Sequence, residues 1–83
     1  MKVRLSAKAE KDFLGLDKIT QNRIKKSLKK LENEPPQGDI KPLKGRIGLR
    51  LRVGNFRILF LKQDDCFIVS DIEPRGQVYK GGR

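Results

Sequence analysis

Hydrophobic positions along the 83-residue chain change period twice. Val3 and Leu5 alternate with Lys2 and Arg4, the two-residue period of a short strand. The period then lengthens. Ala9, Phe13 and Leu16 recur at i, i+4 and i+7 behind Ser6, a good N-cap, and predict a helix over residues 7 to about 16. Gly15 weakens the end of that helix, and Asp17 offers a cap for the next. Ile24, Leu28 and Leu31 keep the helical spacing from about 18 to 33, while Lys25, Lys26, Lys29 and Lys30 fill most of the remaining circumference. Glu34-Pro35-Pro36 ends the segment, because the residue before a proline avoids the helical region and proline has no N–H to donate. The result is a helical hairpin with one apolar stripe on each helix.

Residues 35–45 are rich in Pro and Gly and read as a loop. From Arg46 the period returns to two. Ile47, Leu49, Leu51 and Val53 share one face; Arg46, Gly48, Arg50 and Arg52 share the other. Gly54-Asn55 signals a two-residue hairpin with a type I′ or II′ turn. The strand that follows, 56 to 62, puts Phe56, Ile58 and Phe60 on one side and Arg57, Leu59 and Leu61 on the other. A two-residue loop sets Val53 opposite Phe56 and Arg52 opposite Arg57, so the apolar faces coincide and so do the arginines. Gln63-Asp64-Asp65 turns the chain again, and a last strand runs from 66 to about 73, limited by Pro74.

The expected order is β-α-α-β-β-β, an α+β fold. In it the N-terminal strand and the helical hairpin pack on one face of a mainly antiparallel four-stranded sheet. Arg50, Arg52 and Arg57 occupy the other face, with Leu59, Leu61 and either Phe67 or Val69 as exposed apolar neighbours. There is no internal repeat, and residues 1–83 read as a single domain.

Composition sharpens this. Hydrophobic and charged residues each make up 36% of the chain, and a domain this short hides only about 60–65% of its extended surface, so the core is thin. Twenty Lys and Arg against ten Asp and Glu give a net charge of +10, split evenly between residues 1–34 and 35–83. A field of that size selects nucleic acid, an anionic surface or an acidic protein as partner. The single cysteine, Cys66, excludes an intrachain disulfide. With no histidine and one cysteine, most routes to zinc or to a histidine-based triad are closed, and no cofactor is expected. Catalysis has to run on Arg, Lys, Tyr or carboxylates. No run approaches the roughly 18 apolar residues of a membrane span, so the expectation is a soluble cytoplasmic protein with no membrane partner.

Four stretches are more specific than the rest, the strand-turn-strand segment most of all. The loop ending Lys44-Gly45-Arg46, the segment from Leu49 to Phe60 (LRLRVGNFRILF), the closing Arg75-Gly-Gln-Val-Tyr79 and the opening Ser-Ala-Lys-Ala-Glu-Lys-Asp-Phe together resemble the RelE/ParE superfamily of bacterial and archaeal toxins, with the features of its RelE-like branch. The resemblance covers essentially the whole chain. It implies the toxin of a type II toxin–antitoxin system. RelE-like members are endoribonucleases that enter the ribosomal A site and cut the mRNA there; ParE-like members keep the fold and poison DNA gyrase. The partners implied are a cognate RelB-like antitoxin that wraps the toxin, the ribosome and its mRNA. Operator DNA is expected to be reached only through the antitoxin.

Residue by residue, Arg57 matches the arginine that holds the scissile phosphate, and Arg75 and Tyr79 match the active-site groups of the terminal R-x-x-V-Y pattern. Arg50 stands where a strand lysine or arginine adds positive charge. Gly48 departs from the pattern by replacing a second strand lysine, a contribution that would fall to Lys44, Arg46 or Arg52. Pro74 stands before Arg75 where many relatives have histidine, so histidine acid–base chemistry is closed. The expected catalytic set is Arg57, Arg75 and Tyr79, with Lys44, Arg46, Arg50 and Arg52 on RNA phosphates.

Metal-independent RNA cleavage uses the substrate's own 2′-OH as nucleophile. It needs in-line geometry, a proton acceptor, positive charge on the phosphorane and a donor for the leaving 5′-oxygen. A guanidinium fork suits the phosphate. Free tyrosine titrates near 10, and nearby guanidinium groups would favour its phenolate, which makes Tyr79 the expected base and leaves Arg75 beside the leaving oxygen. Keeping Arg57, Arg75 and Tyr79 together favours an mRNA endoribonuclease. A gyrase inhibitor and a non-catalytic RNA- or ribosome-binding module are the alternatives. The four lysines at 25, 26, 29 and 30 read first as a solvated helix face and second as a docking surface for ribosomal RNA. Cys66 reads as a small strand residue. Asp71 and Glu73 either orient Arg75 or offset local charge.

Overall fold

The computed structural model describes residues 1–74, in the order β1 (Lys2–Leu5), α1 (Ala7–Leu14), α2 (Lys18–Leu31), β2 (Asp39–Pro42), β3 (Leu49–Val53), β4 (Phe56–Gln63) and β5 (Cys66–Pro74). Ser6 starts α1 as its residue type predicts: its Oγ accepts the Ala9 N–H at 3.1 Å. The turn into α2 is tied by Gln21, whose side-chain Nε2 donates to the carbonyls of Phe13 and Leu16 at 3.1 Å each. Those carbonyls belong to the last turn of a helix and its exit, where backbone acceptors have no partner within the helix.

The strands form one sheet in the order β1-β5-β4-β3-β2, with β1 parallel to β5 and every other pair antiparallel. The sheet therefore has five strands among the described residues, not four. The additional one, β2, lies inside the segment expected to be a loop. It is a four-residue edge strand, and Pro42 is tolerated there because an edge residue needs no outward N–H. Ile40 pairs with Leu51 and leans on the core.

Both helices cover one face of the sheet. Ala9, Ile24, Leu28 and Leu31 meet Leu51, Val53, Ile58, Phe60, Phe67, Val69 and Ile72, with Phe13 and Leu16 half-buried against them. The rings of Phe60 and Phe67 meet edge to face, with centroids 5.2 Å apart. The stripes read from the sequence are thus the ones that pack.

The two-residue period puts Ile47 on the apolar strand face, but it is 91% exposed. β3 starts only at Leu49, and Gly48 at φ +131° breaks the alternation before it. Leu59 and either Phe67 or Val69 are expected beside the basic face as exposed groups, but all three are buried. Phe67 and Val69 point into the core, while Leu59 sits in a row between Arg50 of β3 and Asp71 of β5. Leu61 is half-buried.

The cause is a bulge. The β4–β5 register pairs Gln63 with Cys66 and Phe60 with Val69, then jumps to Leu59 with Asp71. Ser70 is the extra residue, and past it the alternation of β5 is reversed, so Ile72 takes the core side while Asp71 and Glu73 take the open side. The Gly54-Asn55 hairpin has the expected register, Val53 opposite Phe56. Of the two turn residues, Gly54 alone has a positive φ (+57°), the signature of the II′ form.

Candidate functional site

The sheet face away from the helices is built by cross-strand rows. Arg52 of β3, Arg57 of β4 and Glu73 of β5 form one; Arg50, Leu59 and Asp71 form the next. Antiparallel register puts directly paired residues on the same side, so a row of three side chains converges wherever three strands run side by side.

In the first row Arg57 Nη2 donates to Glu73 Oε1 at 3.0 Å, with about a third of each side chain exposed (34% and 33%). Arg52 is the exposed member. In the second row Arg50 is only 13% exposed, and its Nη2 lies 3.7 Å from Asp39 on β2. Among the described residues, Arg50 Nη1 and Arg57 Nε are buried without a hydrogen-bond partner. These two guanidinium groups therefore differ. Arg50 is largely inside the sheet face and braced by a carboxylate from the edge strand, whereas Arg57 keeps an exposed surface.

The remaining expected phosphate contacts sit in the turn before β3, where Lys44 and Arg46 are both exposed. Arg46 is not on the strand with Arg50 and Arg52, yet its charge is felt at Asp71 across the open face. Gly48 cannot simply be restored to lysine. Its φ is +131°, and a Cβ there would lie 3.1 Å from Leu43 Cδ1 and 3.3 Å from the Phe60 carbonyl. Arg75 and Tyr79 lie outside the described residues.

A second cluster adjoins the first. Asp71 Oδ1 pairs with Lys8 Nζ at 2.8 Å, Lys8 also reaches Asp12 Oδ2 at 2.9 Å, and Ser70 Oγ donates to Asp71 Oδ2 at 3.0 Å. Lys8 holds the Asp71 carboxyl below the usual carboxylate range; partial burial opposes this, while Ser70 and Arg46 add to it. The two aspartates in turn raise the Lys8 ammonium above its ordinary value. Asp12 Oδ2 also accepts the N–H of Ile72 at 3.2 Å. That donor belongs to the part of β5 that β1, paired only as far as Val69, does not cover.

Sequence reasoning singled out Arg57 but left Glu73 undecided between orienting Arg75 and offsetting charge. Its pairing with Arg57 depends on the Ser70 bulge. Counting back from Gln63 opposite Cys66 without a bulge would put Arg57 against Ile72. The usable signal was the spacing Phe67, Val69, Ile72, which changes from two to three at that point.

On a large part of the chain, residues 3–79, the sequence matches the family model described as the ParE toxin of the type II toxin–antitoxin system parDE. No curated protein matches the chain in sequence. Among solved structures it is similar to the RelB–RelE antitoxin–toxin complex of Methanococcus jannaschii, with 25% identity over 95% of this chain and 98% of that one and a TM-score of 0.75. The archaeal RelE–RelB complex of Pyrococcus horikoshii OT3 shares the fold at 24% identity, 92% and 96% coverage and a TM-score of 0.73. So does the toxin–antitoxin complex RelBE2 of Mycobacterium tuberculosis, at 22% identity, 89% and 96% coverage and a TM-score of 0.77.

Proposed function

The chain belongs to the ParE toxin family of type II toxin–antitoxin systems, and from that premise we propose that it is a ribosome-dependent mRNA endoribonuclease. It cuts the message in the A site by 2′-OH attack without a metal and so stops translation. The observation that carries this reading is Arg57: a guanidinium on an open sheet face, a third exposed, anchored by one carboxylate and flanked by exposed Arg52. A planar fork with five donors can keep its carboxylate and still present N–H groups to a phosphate. Arg57 then stabilises the charge that develops on the phosphorane. Arg75 and Tyr79, implied by the family resemblance, complete the set.

Arg52, Lys44 and Arg46 extend the positive surface along the RNA backbone. Arg50 contributes charge from within the face rather than by direct contact. The +10 field docks the protein on ribosomal RNA, and the ribosome supplies the orientation that the modest acid–base set lacks. A RelB-like antitoxin is the neutralising partner, since the similar solved structures are RelB–RelE complexes.

One observation favours a second reading. The matching family model is that of the ParE toxin, and ParE-like members poison DNA gyrase. Two assays with one purified sample separate the readings. The nuclease reading expects cleavage of message on programmed ribosomes and no effect on supercoiling by purified gyrase; inhibition of supercoiling with intact message would overturn it. No helix of the described residues is long and apolar enough to cross a membrane.

A further inference from the structure

The described open face holds one carboxylate in contact with Arg57, and the nuclease reading on which this inference rests gives it no task. We infer that Glu73, in place of Tyr79, takes the proton from the attacking 2′-OH, so that Arg57 and Glu73 work as a phosphate-and-base dyad. A phosphate held on Arg57 places its neighbouring 2′-oxygen, about 3–3.5 Å from phosphorus in a near-attack geometry, beside the carboxylate. Glu73 Oε1 is already 3.0 Å from Arg57 Nη2, and the side chain is 33% exposed, so its second oxygen needs no rearrangement of the sheet to meet solvent or substrate.

The alternatives on the same face are worse placed. Asp71 is engaged by Lys8 and Ser70 on both oxygens, and Asp39 stands on the far edge strand against Arg50. Arg57 does two things in this arrangement: it fixes the carboxylate's position and neutralises the phosphate that the carboxylate would otherwise repel.

The step balances as a transesterification. Glu73 accepts the 2′ proton as the 2′-oxygen bonds to phosphorus, and the bond from phosphorus to the 5′-oxygen breaks. The departing 5′-oxygen takes a proton from water, and Glu73 later returns its own to solvent. The products are a 2′,3′-cyclic phosphate and a 5′-hydroxyl end.

Glu73→Gln tests this, because the amide keeps the hydrogen-bond acceptor for Arg57 and cannot act as a base. Single-turnover cleavage of mRNA on programmed ribosomes is followed from pH 4.5 to 8 for wild type, Glu73→Gln and Glu73→Asp, with melting curves to confirm folding. General-base catalysis contributes about 10²–10⁴-fold, so Glu73→Gln is expected to cleave at least about 100-fold more slowly and to lose the rise of rate with pH on the acid side. Glu73→Asp is expected to keep that rise at a reduced rate. A wild-type rate and pH profile in Glu73→Gln would overturn the inference and leave the nuclease reading standing. Faster cleavage would also overturn it, by showing that Glu73 only competes with phosphate for Arg57. No cleavage by wild type would overturn both.

Discussion

Asp71 and Glu73 lie two residues apart on β5, on the same side of the sheet, each paired with a cation. Their surroundings assign them different work. Asp71 is closed off: Lys8 from α1 takes one oxygen and Ser70 the other, and Lys8 is shared with Asp12, which in turn satisfies the Ile72 N–H. That cluster fastens the first helix to the strand edge that β1 leaves open. Glu73 has one described partner, Arg57, and both side chains remain a third exposed. The lesson is that an ion pair is read by what else its members can reach. Charges with every acceptor spoken for hold the fold, and a pair left half-open on a basic face is available for chemistry.

Substitutions can break that contrast or sharpen it. The largest effect on folding is expected from Asp12→Ala, which leaves the N–H of buried Ile72 without an acceptor; losing the partner of such a group costs about 1–3 kcal/mol. Urea denaturation would show the loss, and cleavage per folded molecule should be unchanged. Ser6→Ala removes the cap on Ala9 and the bond from Ser6 Oγ to the Ser70 carbonyl at 3.2 Å. Cap removal costs about 0.5–2 kcal/mol, measured as a lower melting temperature.

Glu73→Gln should change stability by less than about 1 kcal/mol, since a half-exposed pair contributes little. A larger loss in urea denaturation would place Glu73 with the structural cluster. The smallest effect depends on pH. Lys8 holds Asp71 below its ordinary range in the folded protein, so this carboxylate favours folding above its unfolded value of about 3.9. The contribution disappears as pH falls through the folded value. The melting temperatures of wild type and Asp71→Asn should therefore differ at pH 7 and converge below about pH 4. An undiminished gap in acid would show that the charge of Asp71 is not what matters.

Much of this could be read in the chain. The apolar stripes of both helices, the Ser6 cap and the Val53–Phe56 hairpin register all follow from local spacing, and they gave the two helices and the arginine row. Arg52 opposite Arg57 was legible because a two-residue turn leaves the register no freedom. What escaped depends on tertiary pairing. β2 is short and bounded by Gly38 and Pro42, so its sequence looks like a loop until β3 supplies its partner. The Ser70 bulge adds one residue to one strand, and that single residue decides whether Arg57 faces Ile72 or Glu73. Arg50 looked like Arg57 in sequence, but its burial beside Asp39 requires the edge strand that was not foreseen. Arg75 and Tyr79, both implied by family resemblance, lie outside the described residues.

The central claim is that Arg57 holds the scissile phosphate, and it is tested most directly by primer extension on mRNA in programmed ribosomes with wild type and Arg57→Ala side by side. Removing a group that stabilises transition-state charge costs about 10²–10³ in rate. The account predicts a new 3′ end within the A-site codon for wild type, absent without ribosomes and reduced at least about 100-fold in a folded Arg57→Ala protein. Equal cleavage by the two proteins would contradict it.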